Sequence, residues 1–188
     1  MSKILYINGS IKGDMSVSKK VAKKIAAKLG GDVTERDASA LTPIDGAWLG
    51  AAYTPAENRT AEQNAALATS DELIAELKSA DAVIIGTGVY NFGITGPLKT
   101  WFDLICRVGE TFRYTEAGPE GLVPAKKVYV AYASGGVPAG SSYDLATPYI
   151  RQVLGFVGVT DVTVIAAEGV AMGEEAALAR ADEQIARL

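Results

Sequence analysis

The chain has no histidine and one cysteine among its 188 residues. Without histidine, Ser-His-Asp hydrolysis, Cys-His proteolysis and imidazole-ligated metal centres are excluded. A single thiol, Cys106, excludes a disulfide framework and a cysteine-rich zinc site. Four residues after Phe102 on a predicted helix, it reads as a small buried apolar side chain. Long apolar stretches are missing as well, since no run approaches the ~20 residues that span a bilayer. Met1-Ser2-Lys3 leads straight into Ile4-Leu5-Tyr6-Ile7 with no cleavage site, so no signal peptide is expected and the cytoplasm is the expected compartment. Positive charge is not in excess. At a net charge of −4 nothing draws the chain to nucleic acid or an anionic membrane, and neither is expected as a partner. These absences remove the usual side-chain acid–base and metal chemistry and point toward a borrowed cofactor.

What is present is an ordinary globular composition, 48% hydrophobic and 21% charged, which suits one domain over 1–188 with a sizeable core. Five strand-like runs are predicted: Lys3 to Asn8, the weaker Asp32 to Arg36, Asp81 to Gly86, Lys127 to Tyr132 and Asp161 to Ala167. Within three of them ILYI, AVIIG and VTVIAA are near-continuous in apolar residues, the pattern of parallel strands buried on both faces. Helices alternate with them. Ser16 to Leu29 repeats Val17, Val21, Ile25 and Leu29 at four-residue spacing and stops at Gly30-Gly31. Thr60-Ala61-Glu62-Gln63 is a capping box before Leu67, Leu73, Ile74 and Leu77. Pro97 opens a helix through Trp101 and Ile105. Ser142 to Val157 and Glu174 to Leu188 complete the set. The alternation predicts an α/β fold, a flavodoxin-like doubly wound five-stranded parallel sheet flanked by helices, with ligands at the carboxyl ends of the strands. Two long connections, 37–59 and 107–125, are candidate lids or interface pieces.

Three loops fall at that edge. After the first strand, Asn8-Gly9-Ser10 runs on to Ser16-Val17-Ser18 at the start of a lysine-bearing helix, where hydroxyls beside free N–H groups can hold a phosphate. Ser16 as a helix cap and nothing more is the other reading. The spacing is neither a Walker A loop nor a dinucleotide GxGxxG. After the third strand, Val89-Tyr90-Asn91-Phe92 puts two aromatic rings and an amide into a glycine-flanked loop, either as packed core or as the bed of a planar ligand. After the fourth, Ser134-Gly135-Gly136 is either a flexible turn or a backbone edge that a flat ring can approach closely.

With those residues, and with the runs SDELIAELKSAD (70–81), YNF (90–92), FRYTEAGPEGL (112–122), TPY (147–149) and LGFVGVTDV (154–162), the chain resembles the FMN-dependent NADH-azoreductase family over nearly its whole length. These are flavodoxin-like NADH:quinone oxidoreductases. The resemblance implies FMN as prosthetic group and NADH as co-substrate. It implies that Ser10, Ser16, Val17 and Ser18 hold the FMN phosphate and that Val89, Tyr90, Asn91 and Phe92 line the isoalloxazine. Ser134, Gly135 and Gly136 would meet the ring's polar edge. It further implies a homodimer whose loop aromatics, Tyr114 and Phe156, line a pocket for aromatic acceptors such as quinones and azo compounds. No side chain is expected to be an obligate acid or base, because the flavin carries the ping-pong, two-electron hydride transfer.

Two departures from the family pattern stand out. Relatives often have Ser-Arg-Gly-Gly after the fourth strand where this chain has Ala133-Ser134-Gly135-Gly136, and an arginine that some relatives place in the 45–60 loop is expected to correspond to Tyr53, with Arg59 nearby to compensate. The chain also ends at Leu188, early for the family, so a shorter last helix is expected. The rival function is a flavodoxin-like electron carrier without a substrate pocket.

Overall fold

A computed structural model describes residues 1–188. In chain order the elements are β1 (Lys3–Asn8), α1 (Val17–Leu29), β2 (Asp32–Asp37), α2 (Gly46–Tyr53), α3 (Ala61–Ser79), β3 (Ala82–Gly88), α4 (Gly96–Ile105), β4 (Phe112–Thr115), β5 (Gly118–Gly121), β6 (Lys127–Ala133), α5 (Ala146–Phe156), β7 (Val162–Ala167) and α6 (Glu174–Ala186). Five strands form one parallel sheet in the order β2-β1-β3-β6-β7. From β1 the chain steps outward to β2 and then returns to the other side of β1 as β3. That reversal opens a crevice at the carboxyl ends of β1 and β3, where open α/β sheets bind ligands. The flavodoxin-like α/β expectation holds.

Side-chain alternation divides the strands between two cores. Leu5, Ile7, Val83, Ile85, Val128, Val130 and Tyr132 face α3, α4 and α5 in a cluster of 28 buried residues. Ile4, Tyr6, Ile84, Tyr129 and Ala131 face α1 and α6 in a cluster of 15. The second layer is thinner because α6 offers mostly alanines, Ala177 and Ala181 beside Ile185. On the first face, Arg107 is 3% exposed at the end of α4. Its guanidinium donates to Asp71 Oδ1 (2.5 Å) and Ser70 Oγ (3.1 Å) of α3, while Ser70 donates to the Leu104 carbonyl (2.6 Å). The polar start of the SDELIAELKSAD run therefore locks two helices together.

The sheet's outer edge differs. No residue of β2 is buried, and four of its six are charged. Arg36 reaches across to Glu72 (2.7 Å) and Glu76 on α3.

The two long connections prove to be structured. The first contains α2, capped by Asp45 Oδ1 on the Trp48 N–H (2.8 Å) and seated by buried Trp48 and Ala51. Eight residues with two glycines gave too short a pattern to read as a helix. Arg59 closes its far end, Nε donating to the Ala51 and Thr54 carbonyls (3.2 and 2.9 Å). The second connection contains the antiparallel β4–β5 hairpin, cross-linked by Arg113 and Glu120 (2.8 and 3.0 Å). Gly-Pro-Glu-Gly is a poor strand by propensity. It pairs because Gly121 lies directly against the backbone of Val157 and Gly158, where any Cβ would overlap. The predicted helix from Ser142 starts instead at Ala146, since the Asp144 carboxylate takes the Ala146 and Thr147 N–H groups (2.9 and 3.0 Å) and stops the helix there. The last helix ends at Ala186. No helix is long and apolar enough to cross a membrane.

Candidate functional site

β1 delivers the first wall of the crevice. At its end Asn8 Oδ1 accepts the Ser10 N–H (3.2 Å), while Asn8 Nδ2 donates to Glu35 Oε1 (3.2 Å). Gly9 sits against β3, its N–H on the Gly86 carbonyl (2.9 Å) and its carbonyl accepting from Thr95 Oγ1 (2.6 Å). A Cβ at Gly9 would stand 2.9 Å from the Gly86 oxygen and 3.0 Å from Leu98 Cβ, so the position demands glycine. Ser10, Ser16 and Ser18 are all buried, and the Ser16 and Ser18 hydroxyls lie 3.1 Å apart. Ser16 caps α1 by accepting the Lys19 N–H (3.1 Å). The cap reading of Ser16 is thus met, and the same residue lines the cleft. The N–H groups of Val17 and Ser18 fall in the first turn, where no helix carbonyl reaches them.

β3 delivers the floor. Val89 N–H pairs with the Ala133 carbonyl (2.9 Å), carrying the sheet ladder one residue further. Tyr90 and Gly93 then exchange both backbone hydrogen bonds (3.1 Å each) around Asn91 and Phe92. Those two residues have φ of +48° and +73°, so the turn is a two-residue hairpin of the mirror-image kind that normally carries Asn-Gly. The Tyr90 ring lies against Gly88, whose Cβ would come 2.9 Å from its Cε2.

β6 and β7 deliver the far wall. Ser134 N–H donates to Ala167 O (3.1 Å), and its hydroxyl donates to Val137 O (2.5 Å). Tyr132 Oη donates to the same carbonyl (2.8 Å), and burial pushes that phenol up to about 12. The segment after β7 folds back, with Val170 N–H on Ser134 O (2.9 Å) and Ala171 N–H on Gly135 O (3.2 Å). Glu168 Oε1 takes the Ala139 N–H (2.6 Å). The loop from 136 to 145 is further held by Asp144, 2% exposed, whose carboxylate also accepts from Gly140 N–H (2.8 Å) and the Thr147 hydroxyl. Burial alone would raise this carboxyl, yet the bonds from Thr147, Gly140 and Ala146 outweigh it and hold it below its usual range.

Together these walls enclose an open cleft of about 190 Å³. Ser10, Ser16, Val17 and Ser18 line one end; Val89, Tyr90, Ser134 and Gly135 line the other. Asn91 and Phe92 stand exposed on the adjoining turn, and Gly136 is exposed just outside the wall. Tyr114 and Phe156 lie elsewhere in the chain. Tyr114 is exposed on β4, edge-on to Phe112 (5.7 Å), which packs against Phe156 (4.3 Å). Phe156 borders a separate depression with Phe102, Cys106 and Tyr149. Burial raises the Cys106 thiol to about 11, which keeps it protonated and unreactive.

Lys12 also lines the cleft and escaped the sequence reading, as did Gly88, Val170 and Ala171. Lys12 could have been found as a cation inside a serine-bounded loop. The 170–171 segment could not, because only the β7 fold-back brings it there. No carboxylate lines the cleft. Hydroxyls, unpaired N–H groups and one ammonium make its first end a site for an anion, and small residues beside an aromatic ring make its second a slot for a planar ring. That donor set fits a phosphorylated flavin.

A model of the flavodoxin-like fold matches residues 2–188. An FMN-dependent NADH:quinone oxidoreductase of Burkholderia lata is 52% identical over 196 residues, 99% of each chain. The chain belongs to the flavodoxin-like family, among the FMN-dependent NADH:quinone oxidoreductases. A second such relative, from Jannaschia sp., is 48% identical over 189 residues, covering all of this chain and 99% of its own. Among solved structures of the family, an FMN-dependent NADH-azoreductase from Bacillus anthracis in complex with FMN superposes with a TM-score of 0.86 at 26% identity, covering 98% of this chain and 96% of that one. The azoreductase AzrA gives 0.87 at 25% identity, covering 99% and 98%. The family resemblance read from the sequence is correct.

Proposed function

We propose that the protein is an FMN-dependent NADH oxidoreductase that reduces quinones and azo compounds by two-electron, ping-pong turnover. The observation that carries this reading is the single cleft with an anion cradle at one end and a carboxylate-free planar slot at the other. When bound, FMN supplies hydride chemistry between NADH and an electrophilic acceptor. Ser10, Ser16 and Ser18 with the Val17 and Ser18 N–H groups hold the phosphate, and Lys12 neutralises it. Val89, Tyr90, Asn91 and Phe92 bed one face and edge of the ring. At the opposite edge the Ser134 hydroxyl proton is committed to Val137, so Gly135 and Gly136 offer backbone groups instead. With no ionisable acid or base required, the protein's part is orientation, exclusion of water and fixed dipoles.

NADH and the acceptor stack in turn on the open face of the bound flavin ring. Tyr114 and Phe156, both remote from the cleft of their own chain, cover the cleft of a second copy in a homodimer. The supply of NADH makes the cytoplasm the fitting compartment. The test is anaerobic titration with FMN, then initial rates at several NADH and quinone concentrations, with sedimentation for the assembly. Retained flavin that NADH bleaches, parallel double-reciprocal lines and a dimer are expected. Intersecting lines would sink the ping-pong scheme. A monomer that keeps FMN but turns over no quinone would be an electron carrier.

A further inference from the structure

Phe92 occupies the second central position of its turn, where a glycine would be free of strain and a side chain at φ +73° is not. It is also 49% exposed, so no core packing offsets the strain. Its ring instead meets Tyr143, at a centroid separation of 6.3 Å and 35° from parallel. Tyr143 comes from the loop after β6, and the two loops are tied by the Leu145 N–H on the Phe92 carbonyl (3.0 Å). Tyr143 is 67% exposed and Leu145 62%, yet Asp144 between them is buried and anchored by four hydrogen bonds. A backbone fixed this firmly, presenting apolar groups to solvent on either side, is built to hold them in place.

We propose that Tyr143 is a specificity-determining residue of the acceptor site. With Phe92 it forms an aromatic wall outside the cleft that contacts the second ring of a two-ring planar quinone stacked over the bound flavin, which a one-ring quinone does not reach. The inference rests on the cleft being the FMN site proposed above. The wall selects an uncharged planar ligand rather than a nucleotide: Phe92, Tyr143 and Leu145 bring no cation to meet phosphates, and the one charged group among them, Asp144, is buried.

The test compares 1,4-naphthoquinone with a tetramethylated one-ring benzoquinone in Tyr143→Ala, Tyr143→Gln and Tyr143→Phe. Two readouts are taken: the dissociation constant by calorimetry on the FMN-loaded, oxidised protein without NADH, and kcat/KM in turnover. In the alanine and glutamine variants the preference for the two-ring quinone falls about three- to tenfold in both readouts, the size of one aromatic contact. The phenylalanine variant keeps it. An unchanged preference in the alanine and glutamine variants of an enzyme that reduces both quinones overturns this proposal alone. A wild-type protein that neither retains FMN nor reduces either quinone overturns the cleft reading and this proposal with it.

Discussion

The two ends of the cleft are built by opposite means. At the serine end only a glycine, Gly13, takes a positive φ, and the N–H groups of Val17 and Ser18 in the first turn of α1 are left unpaired, as an anion site requires. At the ring end the strand ends and hydroxyls are tied inside the protein: Tyr90 with Gly93, Val89 with Ala133, and Ser134 and Tyr132 with Val137. The Asn91 amide and the Gly135 and Gly136 N–H groups are left to a ligand. Asn91 and Phe92 are held there at positive φ. A flat ring needs a rigid wall, and rigidity comes from saturating the wall's own hydrogen bonds. One end therefore recognises by what it leaves open, the other by what it holds still.

The contrast breaks most completely at Gly9, which joins the two ends through Gly86 and Leu98. Gly9→Val should destabilise the fold by about 2–3 kcal/mol, as expected for overpacking at a rigid site, and abolish FMN retention; a melting curve and a desalting column report both. Asp144→Asn attacks only the ring end. The amide keeps one acceptor oxygen but sets a donor against two of the four groups the carboxylate receives, which should cost about 1–3 kcal/mol and loosen the 136–145 loop to hydrogen exchange while the serine end stays protected. The same carboxyl gives a pH signature. Its folded pKa lies below the unfolded one, so its contribution is full above the ordinary carboxylate value near pH ~4. Stability falls as pH drops through the folded value, and acid unfolding of Asp144→Asn should lack that component.

Smaller effects sharpen the comparison. Ser16→Ala loses a cap, costing roughly 1 kcal/mol, and should weaken FMN binding as well. If FMN affinity were untouched, Ser16 would be a cap only. Phe92→Gly should do the reverse, raising stability by roughly 0.5–1 kcal/mol through relief of the left-handed strain while lowering acceptor kcat/KM. Lys12→Ala should weaken FMN binding only a few-fold at low salt, and the difference should fade as screening increases, as for any exposed charge.

The sequence revealed the serine end more fully than the ring end, for physical reasons. Hydroxyls at a helix start announce themselves by spacing, and continuous apolar runs announce buried parallel strands, so β1, β3, β7 and the serines at the start of α1 were legible. The turn at Asn91-Phe92 was not, because Phe at that position contradicts the usual Asn-Gly signal. Nor was the hairpin after α4, where Gly118-Pro119-Glu120-Gly121 pairs on the strength of a tertiary contact with Gly158 that no local pattern encodes. α2 hid for a similar reason: its stability lies in Trp48 and Ala51 meeting the core, not in its own eight residues. Lys12 was visible but ambiguous, one lysine among many.

The unburied, charge-rich strand β2 bears on how the molecule behaves in a crowded solution. A parallel sheet with an open border invites another chain to add a strand there, and growth of that kind has no natural end. Asp32, Glu35, Arg36 and Asp37 would each have to lose water and stand near their like in an added copy. Charges at that border oppose such growth. Concentrated protein should stay dispersed, and neutralising those four side chains together should turn a well-behaved preparation into one that clouds with time.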